Sequence, residues 1–459
     1  MPRTCTAMVR SRPEPSLVGS ATRWLTGDRW ADSPVARPNR YTLRRPHPPL
    51  EALHSPVKLA SRMDLIGTET AFEAAARARA LEATGRDVIH LEIGEPDFDT
   101  PRHISEAAAR GVLDEGLTHY TAATGILPLR EAIAAEVKRW KGIEAAPEQV
   151  VVTPGAKPIM FFAMLALINE GDEVIYPNPG FPIYESMARY VGGTAVAAPL
   201  REENDFRMDV AEVESLVTPR TRLIVINSPH NPTGSILTAE DIGEIARIAN
   251  EHDLVVLADE IYGRLQYEGE PLSIATLPGM AERTITLDGF SKTFAMTGWR
   301  LGYGIVPEWL MPSYSRLVIN SVSCTNAFAQ AGAIAALTGP QDEPDRFREE
   351  FIARRSLIVE GFNGIPGVTC VMPHGAFYAF PNMSSFGRTS AEVADHLLYD
   401  AGVCGLAGTA FGRHGEGYLR FSYANSRENI SRAIERIGDS LGQLSSTGEL
   451  VGAGSTPAR

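Results

Sequence analysis

The segment Asp288-Gly-Phe-Ser-Lys-Thr-Phe-Ala-Met-Thr-Gly-Trp-Arg300 decides the interpretation of this chain. An apolar strand is predicted just before it, so Lys292 follows the end of a buried strand. A lysine desolvated in a cleft has a lowered pKa and condenses more readily with an aldehyde. Arg300 offers a planar fork suited to a phosphate. A lone lysine is more often a solvated surface residue, and the glycine-rich run of a nucleotide phosphate loop is missing here. The surrounding sequence must therefore decide.

Short apolar segments alternate with longer helical ones on both sides of this segment. Strands are predicted at Val150–Thr153, Glu173–Tyr176, Leu223–Asn227, Leu254–Ala258, Thr284–Asp288 and Gly302–Val306. Helices are predicted at Leu129–Trp140, Pro158–Leu167 and Ala239–Glu251, among others. Mostly apolar strands separated by helices indicate an α/β fold whose sheet is mostly parallel and covered on both faces.

Three further motifs follow predicted strands. Asp259 ends the strand in Leu257-Ala-Asp-Glu-Ile-Tyr262, where it can keep a pyridine nitrogen protonated or merely cap the next helix. The proline-rich turn at residues 227–234 can present the Asn231 amide to a phenolic oxygen, or be only a loop. Thr153-Pro-Gly-Ala-Lys157 places backbone amides at a helix start, a weak indication of an anion site.

Taken in order, Asn-Pro-Thr-Gly at 231–234, Asp-Glu-Ile-Tyr at 259–262 and the segment at 291–300 resemble the class I/II aminotransferases. The chain looks most like the prokaryotic-type aspartate aminotransferase branch over about residues 60–440. This resemblance implies fold type I, with a mostly parallel seven-stranded sheet in a large domain and a small α+β domain. It also implies pyridoxal 5′-phosphate as cofactor, amino-acid and 2-oxo-acid substrates, and a homodimer with shared active sites.

The resemblance implies a role for each matching residue around the cofactor ring. Lys292 is expected to hold the cofactor as a Schiff base and to shuttle the proton. Asp259 is expected to pair with the pyridinium nitrogen, and Asn231 and Tyr262 with the ring hydroxyl oxygen. Phe181 takes the position of the ring that stacks on the cofactor, where many relatives have Trp.

The resemblance likewise implies a set of phosphate contacts. They are expected from the backbone at Ala156 and Lys157, from Ser291 and Arg300, and from Tyr120 of the neighbouring subunit.

For the substrate, the resemblance assigns the α-carboxylate to Arg420, with Asn231 beside it and with Gly94 allowing close backbone approach. Lys157 is expected to contact the distal carboxylate of aspartate, helped by hydroxyls for which Thr68 and Thr70 are the candidates. Aspartate and 2-oxoglutarate are therefore the favoured pair.

Other activities remain open from the residues alone. Phe181 and Tyr184 are equally suited to line a pocket for aromatic or aliphatic side chains, which would shift the donor preference. Carbon–sulfur lyases and synthases share this fold and differ in pocket shape rather than in these motifs.

Composition narrows the partners. The 459 residues carry a formal net charge of −13, which disfavours binding to nucleic acid or to an anionic membrane. Four scattered cysteines without metal-ligand spacing indicate a reducing, cytoplasmic setting and no metal. The longest apolar run is near ten residues, whereas a membrane span needs about 20.

The domain boundaries follow from changes in pattern. Residues 1–56 hold nine Arg, no Lys and nine Pro, which favours a disordered or spurious extension over a signal peptide, although a transit peptide stays possible. Residues 57–100 and 336–443 are expected to build the small domain, and 101–335 the large cofactor-binding domain. Residues 444–459 are expected to be a frayed tail.

Overall fold

A computed structural model of the chain describes residues 58–67 and 69–447. The α-helices in these ranges are α1 Thr70–Glu82, α2 Arg102–Leu113, α3 Leu127–Lys141, α4 Lys157–Leu167, α5 Ile183–Tyr190, α6 Val210–Leu216, α7 Ala239–Glu251, α8 Met311–Ser321, α9 Ala327–Thr338, α10 Asp342–Asn363, α11 Ser390–His396 and α12 Arg427–Thr447. The strands are β1 Ile89–His90, β2 Val150–Thr153, β3 Glu173–Asn178, β4 Thr194–Pro199, β5 Thr221–Asn227, β6 Val255–Asp259, β7 Thr284–Gly289, β8 Gly302–Ile305, β9 Tyr378–Ala379, β10 Val403–Cys404, β11 Leu406–Ala407 and β12 Leu419–Ser422.

The central feature is a seven-stranded sheet with the strand order β2-β8-β7-β6-β5-β3-β4. Strand β8 runs antiparallel to both of its neighbours, and the other pairs are parallel. This confirms the predicted α/β fold with a mostly parallel sheet. All six strands predicted for this sheet are present, and its seventh strand, β4, is the one that the sequence pattern did not reveal.

The sheet is apolar on both faces because successive side chains of its strands point to opposite sides. Val174 and Leu223 pack into a cluster with side chains of α4 and α5. Their neighbours Ile175 and Ile224 pack into a second cluster that includes Ile245 of α7. Helices therefore cover both faces, which is why these strands read as continuous apolar runs rather than alternating ones.

The C-terminal region builds a separate apolar cluster beside two small sheets. β1 pairs in parallel with β10, and β11, β12 and β9 form an antiparallel sheet. Phe351 of α10, Phe421 of β12 and Ile437 of α12 meet in this cluster, together with Leu91 near β1. N-terminal and C-terminal segments thus share one apolar core.

The described residues from Ala60 onward form one compact unit. The finer division into a large and a small domain remains a prediction. The extension at residues 1–56 lies outside the described residues. Helix α12 continues to Thr447, past residue 444 where the tail was expected to start, and residues 448–459 lie outside the described residues.

None of the helices in the described ranges combines the length and the apolar character needed to cross a bilayer.

The carboxyl ends of three adjacent parallel strands bring distant polar residues together. Asn227 at the end of β5 lies in register with Asp259 at the end of β6. Asp259 is in turn in register with Leu287 of β7, the strand that leads into the loop carrying Lys292. Ligands bind at this edge of open α/β sheets.

A buried ion triad ties these strand ends to α3. The Lys141 Nζ donates to Asp288 Oδ2 at 2.6 Å and to Glu260 Oε2 at 2.7 Å. Burial by itself would lower the pKa of Lys141, but the two carboxylates outweigh it and raise that pKa above its ordinary value. Asp288 lies four residues before Lys292, and Glu260 directly follows Asp259. The triad therefore anchors both segments that carry the site.

Replacing Lys141 with methionine should destabilise the fold, because the apolar stem is kept while two buried carboxylates lose their cation. We expect a loss of about 3–5 kcal/mol in the free energy of unfolding, measured by urea denaturation. Lys138→Met is the control, since Lys138 pairs with Glu144 at an exposed position and should change stability by under about 1 kcal/mol. Similar losses for both variants would contradict an anchoring role for the triad.

Candidate active site

A cavity of about 540 Å³ lies at the carboxyl edge of the central sheet. It is lined by most of the residues that the sequence singled out, although these are spread over more than 300 positions. The predicted site residues in its lining are Thr70, Gly94, Ala156, Lys157, Phe181, Asn231, Asp259, Tyr262, Ser291, Lys292, Arg300 and Arg420. Tyr120 is not among the lining residues, and its side chain is 89% exposed.

Lys292 projects into this cavity from the loop after β7. Its Nζ donates a hydrogen bond to the Gly94 carbonyl oxygen at 2.6 Å. Desolvation in the cavity is the largest effect on the Lys292 amine and lowers its pKa to about 8. The negative charge of Glu95 raises this pKa, and the positive charge of Arg420 lowers it further. Near neutral pH a much larger fraction of this amine is therefore unprotonated than for an ordinary lysine, and the unprotonated form is the one that attacks a carbonyl carbon.

Asp259, at the end of β6, is a buried carboxylate in the lining of the same cavity. Its Oδ2 accepts a hydrogen bond from the Tyr184 hydroxyl at 2.6 Å, and its Oδ1 accepts one from the Ile261 amide at 3.2 Å. Burial raises the pKa of Asp259 to about 6 despite these two donors. A cationic group of a ligand placed beside it would stabilise the ionised form.

Tyr184 has a role that sequence reasoning missed. Tyr184 lines the cavity, as its predicted place in the pocket wall requires. It is also fully buried, and its hydroxyl donates to Asp259 and orients that carboxylate. The sequence around Tyr184 does not indicate this contact, because Tyr184 and Asp259 are 75 positions apart in the chain.

Arg420 of β12 is buried and only partly satisfied. Its Nη1 donates to Asn231 Oδ1 at 3.2 Å, and its Nη2 contacts the Glu92 carbonyl oxygen. The guanidinium lies between the rings of Tyr378 and Phe411, at 4.5 and 4.8 Å from their centroids. Its Nε has no partner among the described residues. A desolvated guanidinium with a spare donor is suited to binding a carboxylate.

Tyr378 is a second residue that the sequence did not reveal. Its hydroxyl lies 2.7 Å from the Tyr262 hydroxyl. A Cβ atom on Gly94 would collide with the same Tyr378 hydroxyl, so this crowding also requires glycine at position 94. Tyr378 therefore contacts Tyr262, Gly94 and Arg420, and these residues pack together on one side of the cavity.

The start of α4 forms a cradle with Arg300. Gly155 has φ of +81°, and a Cβ there would meet the Arg300 guanidinium. A Cβ on Gly302 would run into the backbone of Gly155 and Ala156. The two glycines thus let a cationic side chain approach the amide groups at the helix start, an arrangement that favours an anion. Ser291 is buried in the same lining.

At the mouth of the cavity, Lys157 is already paired. Its Nζ contacts the Glu69 carboxylate and lies 5.4 Å from the centroid of the Phe181 ring. The Thr70 hydroxyl, expected to assist Lys157, is buried and has no partner among the described residues. Thr68 lies outside the described residues. Glu69 is the third contributor to the site that the motifs did not indicate.

Comparison with known proteins gives a consistent result. The family model "Aminotransferase class I and II" matches residues 86–437. The chain is 44% identical to aromatic-amino-acid aminotransferase 2 of Thermococcus litoralis, over 76% of this chain and 90% of that one. It is also 44% identical to an aspartate aminotransferase of Pyrococcus abyssi, over 77% and 91%. The solved structure of aspartate aminotransferase from Thermus thermophilus with maleate matches with a TM-score of 0.79 and 37% identity, covering 84% of this chain and all of that one.

The lowered pKa of Lys292 is open to direct measurement. In protein freed of bound small molecules, the rate of reductive methylation at Lys292 should rise with pH through a midpoint near 8. Surface lysines should titrate near ~10.4. Mass spectrometry of peptides, quantified against pH, separates the two. If the midpoint at Lys292 coincides with that of the surface lysines, the amine is not desolvated.

Proposed function

The chain belongs to the class I and II aminotransferase family and is an amino-acid aminotransferase; on that premise we propose that it uses pyridoxal 5′-phosphate and favours aspartate as amino donor and 2-oxoglutarate as acceptor. The observation that carries this proposal is the convergence of Lys292, Asp259 and Arg420 on one cavity. These are a nucleophilic amine, a buried carboxylate and a carboxylate-binding guanidinium.

The residues present fit this cofactor. The glycine cradle at the start of α4 leaves room for an anion beside Arg300. Burial raises the pKa of the Asp259 carboxyl, and a protonated ring nitrogen beside it would stabilise the ionised carboxylate. Lys292 presents an amine of lowered pKa in the same cavity.

The proposed cofactor contacts follow from these positions. Lys292 would hold the aldehyde carbon, Asp259 the ring nitrogen, and Asn231 and Tyr262 the ring hydroxyl oxygen, with Phe181 against the ring. The remaining residues would hold the phosphate: Ala156, Lys157, Ser291 and Arg300, with Tyr120 of a second copy of the chain. When bound, the cofactor supplies an aldehyde that condenses with amino groups and a ring that withdraws electrons from the substrate Cα.

Different side chains of the protein would bind the substrate, move the proton and orient the groups that contact the cofactor. Arg420 binds the substrate α-carboxylate, and the rings of Tyr378 and Phe411 keep its guanidinium in place. The Nζ of Lys292 takes the proton from Cα and holds it for return. Tyr184 keeps Asp259 oriented through its 2.6 Å hydrogen bond, and the Tyr262 hydroxyl is held by that of Tyr378.

The donor preference rests on Lys157. Relatives of equal identity carry the names of an aromatic-amino-acid and an aspartate aminotransferase, so identity does not choose between these substrates. A lysine at the cavity mouth, with the Thr70 hydroxyl nearby in the lining, supports a side-chain carboxylate. Phe181, under the Lys157 ammonium, supports the alternative of aromatic or aliphatic donors.

A homodimer in the cytoplasm completes the proposal. Tyr120 is a predicted phosphate contact yet lies outside the cavity lining of its own chain, which supports delivery from a neighbouring subunit. The cysteines at positions 324, 370 and 404 are free, as expected in a reducing compartment. A large cofactor-binding domain and a small domain remain part of the same proposal.

The test is keto-acid exchange. Purified protein supplied with pyridoxal 5′-phosphate, one amino acid at a time and 2-oxoglutarate should form glutamate, with aspartate among the best donors. Release of ammonia or sulfide without glutamate would refute transamination as the reaction.

Arg420→Lys should lower kcat/KM for every amino-acid donor, because one ammonium cannot replace a two-pronged fork at the shared α-carboxylate. We expect a loss of about 2–4 kcal/mol in transition-state stabilisation, obtained from the ratio of kcat/KM values. Arg413→Lys, at an exposed position outside the cavity lining, is the matched control. Activity of the Arg420 variant within about twofold of wild type would refute this role.

A further inference from the structure

The reaction outlined above does not use the ion pair between Glu69 and Lys157, which lies in the cavity lining. Glu69 directly precedes α1, and its side chain caps none of that helix's amides. It reaches instead to the Nζ of Lys157, the first residue of α4. Both residues line the cavity that holds Lys292 and Arg420. The Glu69 carboxylate is thus paired with Lys157, the cation that is expected to bind the second carboxylate of an acidic substrate.

From this geometry we propose that Glu69 determines substrate specificity by competing with the distal carboxylate of acidic substrates for Lys157. The inference rests on the proposed transamination and deepens it. An acidic substrate must displace Glu69, whereas a substrate with an uncharged side chain leaves the pair intact. Glu69 therefore sets the ratio of acidic to neutral donors.

The charge of Glu69 acts inside the site. It raises the pKa of Lys292 and that of Arg420, each of which is lowered overall by desolvation. A dicarboxylate bound through Arg420 would bring its second carboxylate toward the same region. Two carboxylates sharing one lysine repel each other, so the pair discriminates against a second negative charge until Glu69 moves.

The Thr70 hydroxyl provides independent support. Its Oγ1 is buried, has no partner among the described residues and belongs to the residue next to Glu69. A buried hydroxyl without a partner costs free energy, and a ligand carboxylate supplies the missing acceptor. Phe181 offers an apolar surface beneath the ion pair for an uncharged side chain. The same cavity mouth therefore contains contacts for both substrate classes.

Exposure sets the size of the effect. The side chains of Lys157 and Glu69 are 45% and 21% exposed, so water weakens their attraction. Such pairs are weak enough for a substrate to displace. We therefore expect a change of about fivefold in selectivity rather than an absolute switch.

Ligand binding to the holoenzyme tests this without turnover. Succinate and butyrate share one carboxylate and a four-carbon chain, and only succinate carries the second carboxylate. Isothermal titration calorimetry of Glu69→Gln should show succinate binding about fivefold tighter than to wild type, with butyrate changed by less than about twofold. Lys157→Met should weaken succinate by about fivefold or more and spare butyrate. Glu73→Gln, an equal charge change one turn along α1 outside the cavity lining, should alter neither ligand.

The proposal is overturned if Glu69→Gln changes both ligands alike, changes neither, or behaves as Glu73→Gln does. It is also overturned if Lys157→Met leaves succinate binding unchanged. In parallel, Glu69→Gln should raise the ratio of kcat/KM for aspartate over phenylalanine by about fivefold. If wild-type protein transaminates no donor, yet Glu69→Gln still binds succinate more tightly than wild type does, the proposed function is refuted while the role of Glu69 stays intact.

Discussion

Desolvation of the Lys292 amine is the constraint on which the rest of the site depends. An ammonium group in water is strongly hydrated and is not a nucleophile, and removal from water is the main effect that lowers the pKa of Lys292 to about 8. That removal requires a cavity enclosed by several elements, and the carboxyl edge of a parallel sheet provides it. The Lys141 triad ties down the segments on both sides, so Lys292 and Asp259 are held by one buried ion network.

The charged residues around Lys292 shift its pKa in opposite directions. Arg420 and Lys157 lower its pKa, and Glu95 and Glu69 raise it. Replacing one of these residues therefore affects the lysine even where no contact is lost. The pairing of Glu69 with Lys157 thus influences both the amine that reacts and the cation that selects a substrate. Catalysis and specificity are coupled through this electrostatic field.

Sequence alone predicted six strands of the sheet, and most of the residues it singled out line the cavity, because the motifs follow the strands directly. Once β5, β6 and β7 are placed side by side, Asn231, Asp259 and Lys292 must converge. Strand β4 escaped prediction because Thr194–Pro199 is rich in alanine and carries few strand-forming residues.

The supporting contacts could not be predicted because each joins residues far apart in the chain. Tyr184 and Asp259 are 75 positions apart, and Tyr262 and Tyr378 are 116 apart. Glu69 and Lys157 are separated by 88 positions. No local pattern marks such partners, since their meeting depends on how α1, α5 and β9 pack around the sheet.

The central claim is that Lys292 is the amine that engages the cofactor. Borohydride reduction of the holoenzyme, followed by peptide mapping, tests it most directly. The account predicts a pyridoxyl group on Lys292 and on no other lysine. Labelling of Lys157, Lys141 or a surface lysine in its place, or no stable label at all, would contradict it.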